Sequence, residues 1–226
     1  MKLFPKQTAV AQKAVAELKI LYPLAACSLT TINAFQLLVA TRLSAQCTDA
    51  RVNLVTPALF ARFPTPESLA AADQTELQTL IYSTGFYVIK SRDLIAMAAM
   101  LCTVYGGIVP DTIEELIKLP GVGRKTANLI VGDIYSKPAV VADTHCIRIA
   151  NRLGLCDTKD PYKVELALRA LLPPEESNDF CHRLVLFGRD LCPARSPACG
   201  RCPLSAFCPS ADTQNNPLKK RSIPRL

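Results

Sequence analysis

Lys125, Asp143 and four clustered cysteines are the residues whose types and spacing point to chemistry. Lys125 follows Leu119-Pro120-Gly121-Val122-Gly123-Arg124 and stands in the first turn of an apolar-periodic segment with Ala127, Ile130, Val131 and Ile134 in helical phase. A cation is disfavoured at that end of a helix. A neighbouring cation such as Arg124 and partial burial also lower a lysine's pKa. A lysine so treated is a neutral amine, a nucleophile able to form a Schiff base. A solvated or phosphate-contacting lysine is the plainer alternative. Asp143 ends a short apolar run, Val140-Val141-Ala142, where a helix should start, so it reads first as an N-cap. A helix N-terminus also keeps such a carboxylate ionised. Cys192, Cys199, Cys202 and Cys208 are spaced C-x6-C-x2-C-x5-C, one set of soft ligands for zinc or for a [4Fe–4S] cluster.

These residues need elements to hold them. A short helical pattern over Thr112 to Lys118, with Asp111 or Thr112 available as N-cap, precedes the Pro-Gly-x-Gly turn. Glycines there let the backbone turn tightly and approach another chain. Amides of such a hairpin and of the following first turn form an anion site. This reads as a helix-hairpin-helix whose natural ligand is a nucleic-acid phosphate, a contact that positions without reading sequence; an ordinary Gly-rich turn between two helices is the plainer alternative.

Elsewhere the chain reads as all-α. Helices are expected over 6–21 with Val10, Ala14, Leu18 and Leu21 on one face, over 31–44, 50–62, 66–72 and 74–83, and then in a long segment with Leu94, Met97, Leu101 and Val104 in phase. Further helices follow near 144–153, 161–172 and 178–191, the last with Phe180, Leu184, Phe187 and Leu191 in register. Ala139 to Ala142 has the composition of a lone strand without a partner. The other six cysteines, 27, 47, 102, 146, 156 and 181, read mostly as small buried hydrophobes. The tail beyond 210 is polar and basic, either a solvated end or a strip that lies along nucleic acid.

The 226 residues are enough for one or two domains, and at 50% hydrophobic they should fold. A net charge of +7 permits a polyanionic partner without requiring one. The sequence has no apolar run long enough for a transmembrane helix and no signal-peptide core in Met1 to Thr8. A cytoplasmic, bacterial or archaeal protein with no membrane partner is expected.

Leu119 to Ala127, followed by Val141 to Arg148, resembles the endonuclease III family of DNA base-excision glycosylases. Leu43-Ser44-Ala45-Gln46-Cys47-Thr48-Asp49 is similar to that family's Leu-Ser-x-Gln-x-Thr-Asp segment, and the cysteine spacing matches its iron–sulfur loop. The resemblance runs from about residue 31 to 208. It implies that Lys125 and Asp143 are the catalytic pair and that Cys192, Cys199, Cys202 and Cys208 hold a [4Fe–4S] cluster. It implies that Gln46 fills the gap left by an extruded base, and that Phe86, where the family carries an aliphatic wedge after glycine, enters the stack; the alternatives are a surface or capping glutamine and a phenylalanine packed in the core. Gly121, Val122, Gly123, Arg124 and His145 would contact DNA. The implied architecture is two helical domains flanking a DNA-binding cleft: 27–137 with the hairpin motif at about 112–136, and 1–26 with 138–210 around the cluster, followed by a tail at 211–226. The implied activity is a bifunctional glycosylase and abasic-site lyase for oxidised pyrimidines, acting as a monomer on damaged double-stranded DNA. The rivals are a monofunctional mismatch glycosylase, which would carry Ser or Tyr at 125, and a non-catalytic iron–sulfur DNA-binding module.

Overall fold

The computed structural model describes residues 5–211; the basic tail expectation lies largely outside them. Eleven α-helices and four short 3-10 turns make up the regular structure of the described residues, which contain no strand. The described residues divide into two compact units, one of 27–137 and one of 5–26 with 138–211. No described helix is long and apolar enough to cross a membrane.

The 27–137 unit holds α2 (Ala34–Leu43), α3 (Asp49–Arg62), α4 (Pro66–Ala70), α5 (Gln74–Ile81), α6 (Tyr87–Tyr105), α7 (Ile113–Leu116) and α8 (Arg124–Asp133). Each of the first four has a side-chain N-cap, from Asn33, Thr48, Thr65 and Asp73. These caps satisfy amides that a helix start cannot pair internally. At α7 the choice left open by the sequence falls to Thr112, whose hydroxyl accepts from Glu115. Asp111 pairs instead with Lys137. Helices α4 and α5 pack on α6, and α2 contacts α3, α6 and α8. Leu38, Leu43, Leu59, Leu77, Ile81, Leu94, Met97 and Leu101 form the sealed interior. The expected apolar stripe of α6 stops there, because Val104 is 60% exposed.

The second unit holds α1 (Pro5–Leu21), α9 (Thr144–Arg152), α10 (Pro161–Leu171) and α11 (Ser177–Asp190). Helix α11 packs on α9 and α1, and α10 on both of those. Phe180, Leu184, Phe187 and Leu191 are buried as their spacing predicts. On α1 the buried set is Ala11, Ala14, Val15 and Leu18, so the face is turned slightly from the expected one and Leu21 is left exposed. Residues 139–142 form no ladder; the Ala139 amide donates to Ser177 Oγ at 3.2 Å.

The expectation for the six scattered cysteines needs correction. Only Cys146 and Cys181 are buried. The Cys146 thiol is pushed well up by its hydrogen bond with the Cys181 thiol and by burial. Cys27, Cys47, Cys102 and Cys156 are part-exposed. Apolar neighbours in sequence do not share a helix face, since each residue turns about 100° from the last. Leu101 is wholly buried while Cys102 sits beside Glu67.

Candidate functional site

The hairpin between α7 and α8 is built on an ion pair. Gly121 has φ +74, a conformation that L side chains avoid. A Cβ there would lie 2.6 Å from Arg42 Nε and 3.1 Å from Asp93 Cβ. Arg42 of α2 and Asp93 of α6 pair at 2.7 Å beneath the turn, both largely buried. Gly121→Ala is therefore expected to cost at least about 1–2 kcal/mol from backbone strain alone, with further loss as Arg42 is displaced. Chemical denaturation of the full chain checks this.

Val122 is 7% exposed and turns its side chain inward. Its expected role in DNA contact is left to its backbone, while Gly121 and Gly123 are exposed. Gly123 caps α8 without a side chain, so no cap side chain occupies the helix N-terminus. That is the requirement for an anion site. Arg124 is half-buried and Lys125 exposed. The partial burial expected of Lys125 is therefore not found. What the structure does supply is an accessible amine at the positive end of a ten-residue helix.

Gln46 and Phe86 belong to the same unit and share an uncommon backbone. Both are exposed, with φ 54 and φ 50, in the left-handed region. Gln46 lies in the turn between α2 and α3, where Cys47 N donates to Ser44 O at 3.0 Å. Phe86 precedes α6, follows Gly85 at φ +71, and is 59% exposed. Packing of Phe86 into the core, the alternative to a wedge, is thus excluded. Holding a non-glycine residue in this region costs on the order of 1–3 kcal/mol and tends to mark functional positions.

The other unit carries Asp143, His145 and the cysteines. Asp143 caps α9, its Oδ1 accepting from Cys146 N at 2.7 Å. One face of α9 then faces the cysteine loop. Arg148 Nη2 lies 3.1 Å from His145 Nδ1 and donates to the carbonyls of Gly188 and Cys192. Arg152 donates to Cys192 Sγ at 3.1 Å and to the carbonyls of Cys192, Pro193 and Ala194.

Cys192, Cys199, Cys202 and Cys208 line one pocket, closed by Ile149, Leu153, Phe187, Leu191 and Leu204. Burial raises the Cys202 and Cys208 thiols, and the neighbouring sulfurs add to it. Among the described residues no three His, Cys, Asp or Glu side chains converge as tightly as a single ion requires. Four soft donors in an apolar shell, with a guanidinium against one sulfur, fit a thiolate-held iron–sulfur cluster.

The sequence points to Lys125, Asp143 and the cysteines but not to the residues that pack against the hairpin and the cysteine loop: Arg42, Asp93 and Arg152. His145, Arg148 and Arg152 recur at three and four residues along α9. That spacing signals one shared helix face.

Residues 39–174 match the model of the HhH-GPD superfamily base excision DNA repair proteins. Residues 192–208 match the iron–sulfur binding domain of endonuclease III. The Endonuclease III of Synechocystis sp. (strain ATCC 27184 / PCC 6803 / Kazusa) is 46% identical over 195 residues, 86% of this chain and 89% of its own. A solved non-covalent Endonuclease III–DNA complex superimposes with a TM-score of 0.86 at 42% identity, over 94% of this chain and 99% of its own. A trapped Endonuclease III–DNA covalent intermediate gives 0.87 at 41% identity, over 95% and 100%.

Proposed function

Because the chain belongs to the endonuclease III family of the HhH-GPD base excision repair superfamily, we infer that it is a DNA glycosylase with abasic-site lyase activity. It works on DNA and carries a [4Fe–4S] cluster. The preferred substrate we propose is an oxidised pyrimidine of the thymine glycol type in duplex DNA, attacked by a single copy of the chain.

The observation that carries the lyase half is a lysine at position 125, in the first turn of the hairpin helix. A serine or tyrosine there could not form an imine. We propose that Lys125 and Asp143 act on one sugar. The damaged base leaves the stack, at a cost of a few kcal/mol that is smaller for a poorly stacked lesion. Lys125 Nζ attacks C1′; the glycosidic C–N bond breaks and its electron pair leaves with the base. Asp143 activates Lys125 and stabilises the positive charge that develops at the sugar. One nitrogen proton is lost, and the nitrogen lone pair then opens the sugar ring: the C1′–O4′ bond breaks, O4′ takes up a proton, and the protonated imine forms. Removal of a C2′ proton then expels the 3′ phosphate as the C3′–O bond breaks, and water releases the amine. Gln46 and Phe86 occupy the space vacated in the duplex, and the hairpin amides with Arg124 and His145 hold phosphates.

Cys192, Cys199, Cys202 and Cys208 are the residues we assign to the cluster, which shapes the loop that carries Arg195 and Arg201. Its role is structural. Purified anaerobically, the chain should be brown with broad visible absorbance, and Cys202→Ser should lose colour and iron together. A colourless chain holding one zinc would contradict the assignment.

A duplex with one thymine glycol tests the activity. The expected products are free damaged base and a nick ending in a 3′ unsaturated aldehyde. Free base with an intact abasic strand would point instead to a monofunctional glycosylase.

A further inference from the structure

Lys90 is a charged residue with nowhere to meet solvent. It sits in the first turn of α6 and is 1% exposed. Its Nζ donates to Leu43 O at 2.6 Å and to Thr84 O at 2.9 Å. Leu43 closes α2, and Thr84 closes the 3-10 turn Tyr82–Thr84. Carbonyls at helix ends lack partners within the helix and favour a cation. The Lys90 amide also donates to Phe86 O at 3.0 Å.

These bonds fall at the roots of the two exposed left-handed residues. Leu43 lies three residues before Gln46, and Thr84 two before Phe86. The roots are far apart in sequence but share one ammonium. Burial, opposed by Cys47 and reinforced by Arg42, lowers the pKa of Lys90, so the fold holds this charge against a desolvation cost. A methionine would fill the same space without that cost. What it could not provide is a polar link between two backbone carbonyls.

We propose that Lys90 is a positioning residue that fixes the spacing of Gln46 and Phe86, so that both side chains enter the duplex together as the base leaves. This rests on the reading that those two side chains enter DNA. Two props of an opened stack work only at a set separation, and a displacement of about 1 Å in such a constellation can cost on the order of 100-fold in rate.

The test uses the full holoprotein and two substrates. One is a thymine glycol duplex, whose base must be extruded and replaced. The other is a single-stranded abasic oligonucleotide, which has no stack to fill. Lys90→Met is expected to slow duplex excision by roughly 10- to 100-fold and to leave single-strand cleavage within about twofold. Lys90→Gln, shorter but polar, should show the same split, and it serves where the methionine variant does not fold. Gln46→Ala and Phe86→Ala should each slow the duplex reaction, and in a Lys90→Met background each should add little. The proposal is overturned if Lys90→Met matches wild type on the duplex while the loop variants are slow. It is equally overturned if both substrates slow in parallel. Wild-type duplex rates in Gln46→Ala and Phe86→Ala would remove the insertion reading itself, a distinct failure.

Discussion

Lys125→Ala is expected to bind abasic duplex DNA with near wild-type affinity and to cut it more slowly by a thousandfold or more, an order of magnitude set by the loss of other enzymatic nucleophiles. The side chain is exposed in the first turn of α8, and alanine is a good helix former. Exposed substitutions of this kind change stability by about 0.5 kcal/mol or less. The loss should therefore appear at an unchanged unfolding midpoint. Lys125→Arg separates two roles that alanine removes together. A guanidinium still attracts phosphate but stays protonated, so it cannot attack carbon. If Lys125 served only as a phosphate contact, the arginine variant would be active; the nucleophile reading predicts that it is as slow as alanine. Rates on an abasic duplex, paired with binding anisotropy, distinguish the two.

Asp143 has a structural job that must be kept apart from its proposed chemical one. Its carboxylate caps α9 through the Cys146 amide. Asparagine preserves such a cap, whereas alanine forfeits about 1 kcal/mol. Asp143→Asn should thus hold the stability of the second unit while base excision falls by on the order of 10²- to 10⁴-fold, the usual range for a positioned acid or base. Asp143→Ala should show the same catalytic loss plus a lower unfolding midpoint. Cleavage of a preformed abasic site should suffer less, because an aldehyde accepts an amine without a base having to depart. Single-turnover rates on the two substrates, with thermal melts of each variant, measure all three quantities. An Asp143→Asn variant with wild-type excision would reduce Asp143 to a cap.

The parts of this site that were legible in the sequence are those whose signal is local. A Pro-Gly-x-Gly turn states its own backbone demand, and Gly121 at φ +74 meets it. The N-cap role of Asp143 follows from its place before a periodic segment. The spacing of four cysteines placed them on one loop, and they line one pocket. What escaped the reading depends on residues far apart along the chain. Lysine is ordinarily a surface residue, and nothing near Lys90 announces that Leu43 and Thr84 will converge on it. Arg42 and Asp93 are likewise 51 residues apart, and only the fold sets them beneath Gly121. The left-handed backbone of Gln46 and Phe86 is imposed by the turns that hold them, against the preference of both residue types. Val104 continued a helical stripe in sequence, but the core did not follow it.

The chemical claim at the centre is a bond between Nζ of one lysine and C1′ of a deoxyribose. Reduction of that imine with borohydride during turnover on thymine glycol duplex, followed by digestion and mass spectrometry, reads the bond directly. A sugar remnant on the peptide containing Lys125, and none from Lys125→Ala, is the expected result. A remnant on another lysine, or base release with no adduct at all, would contradict it.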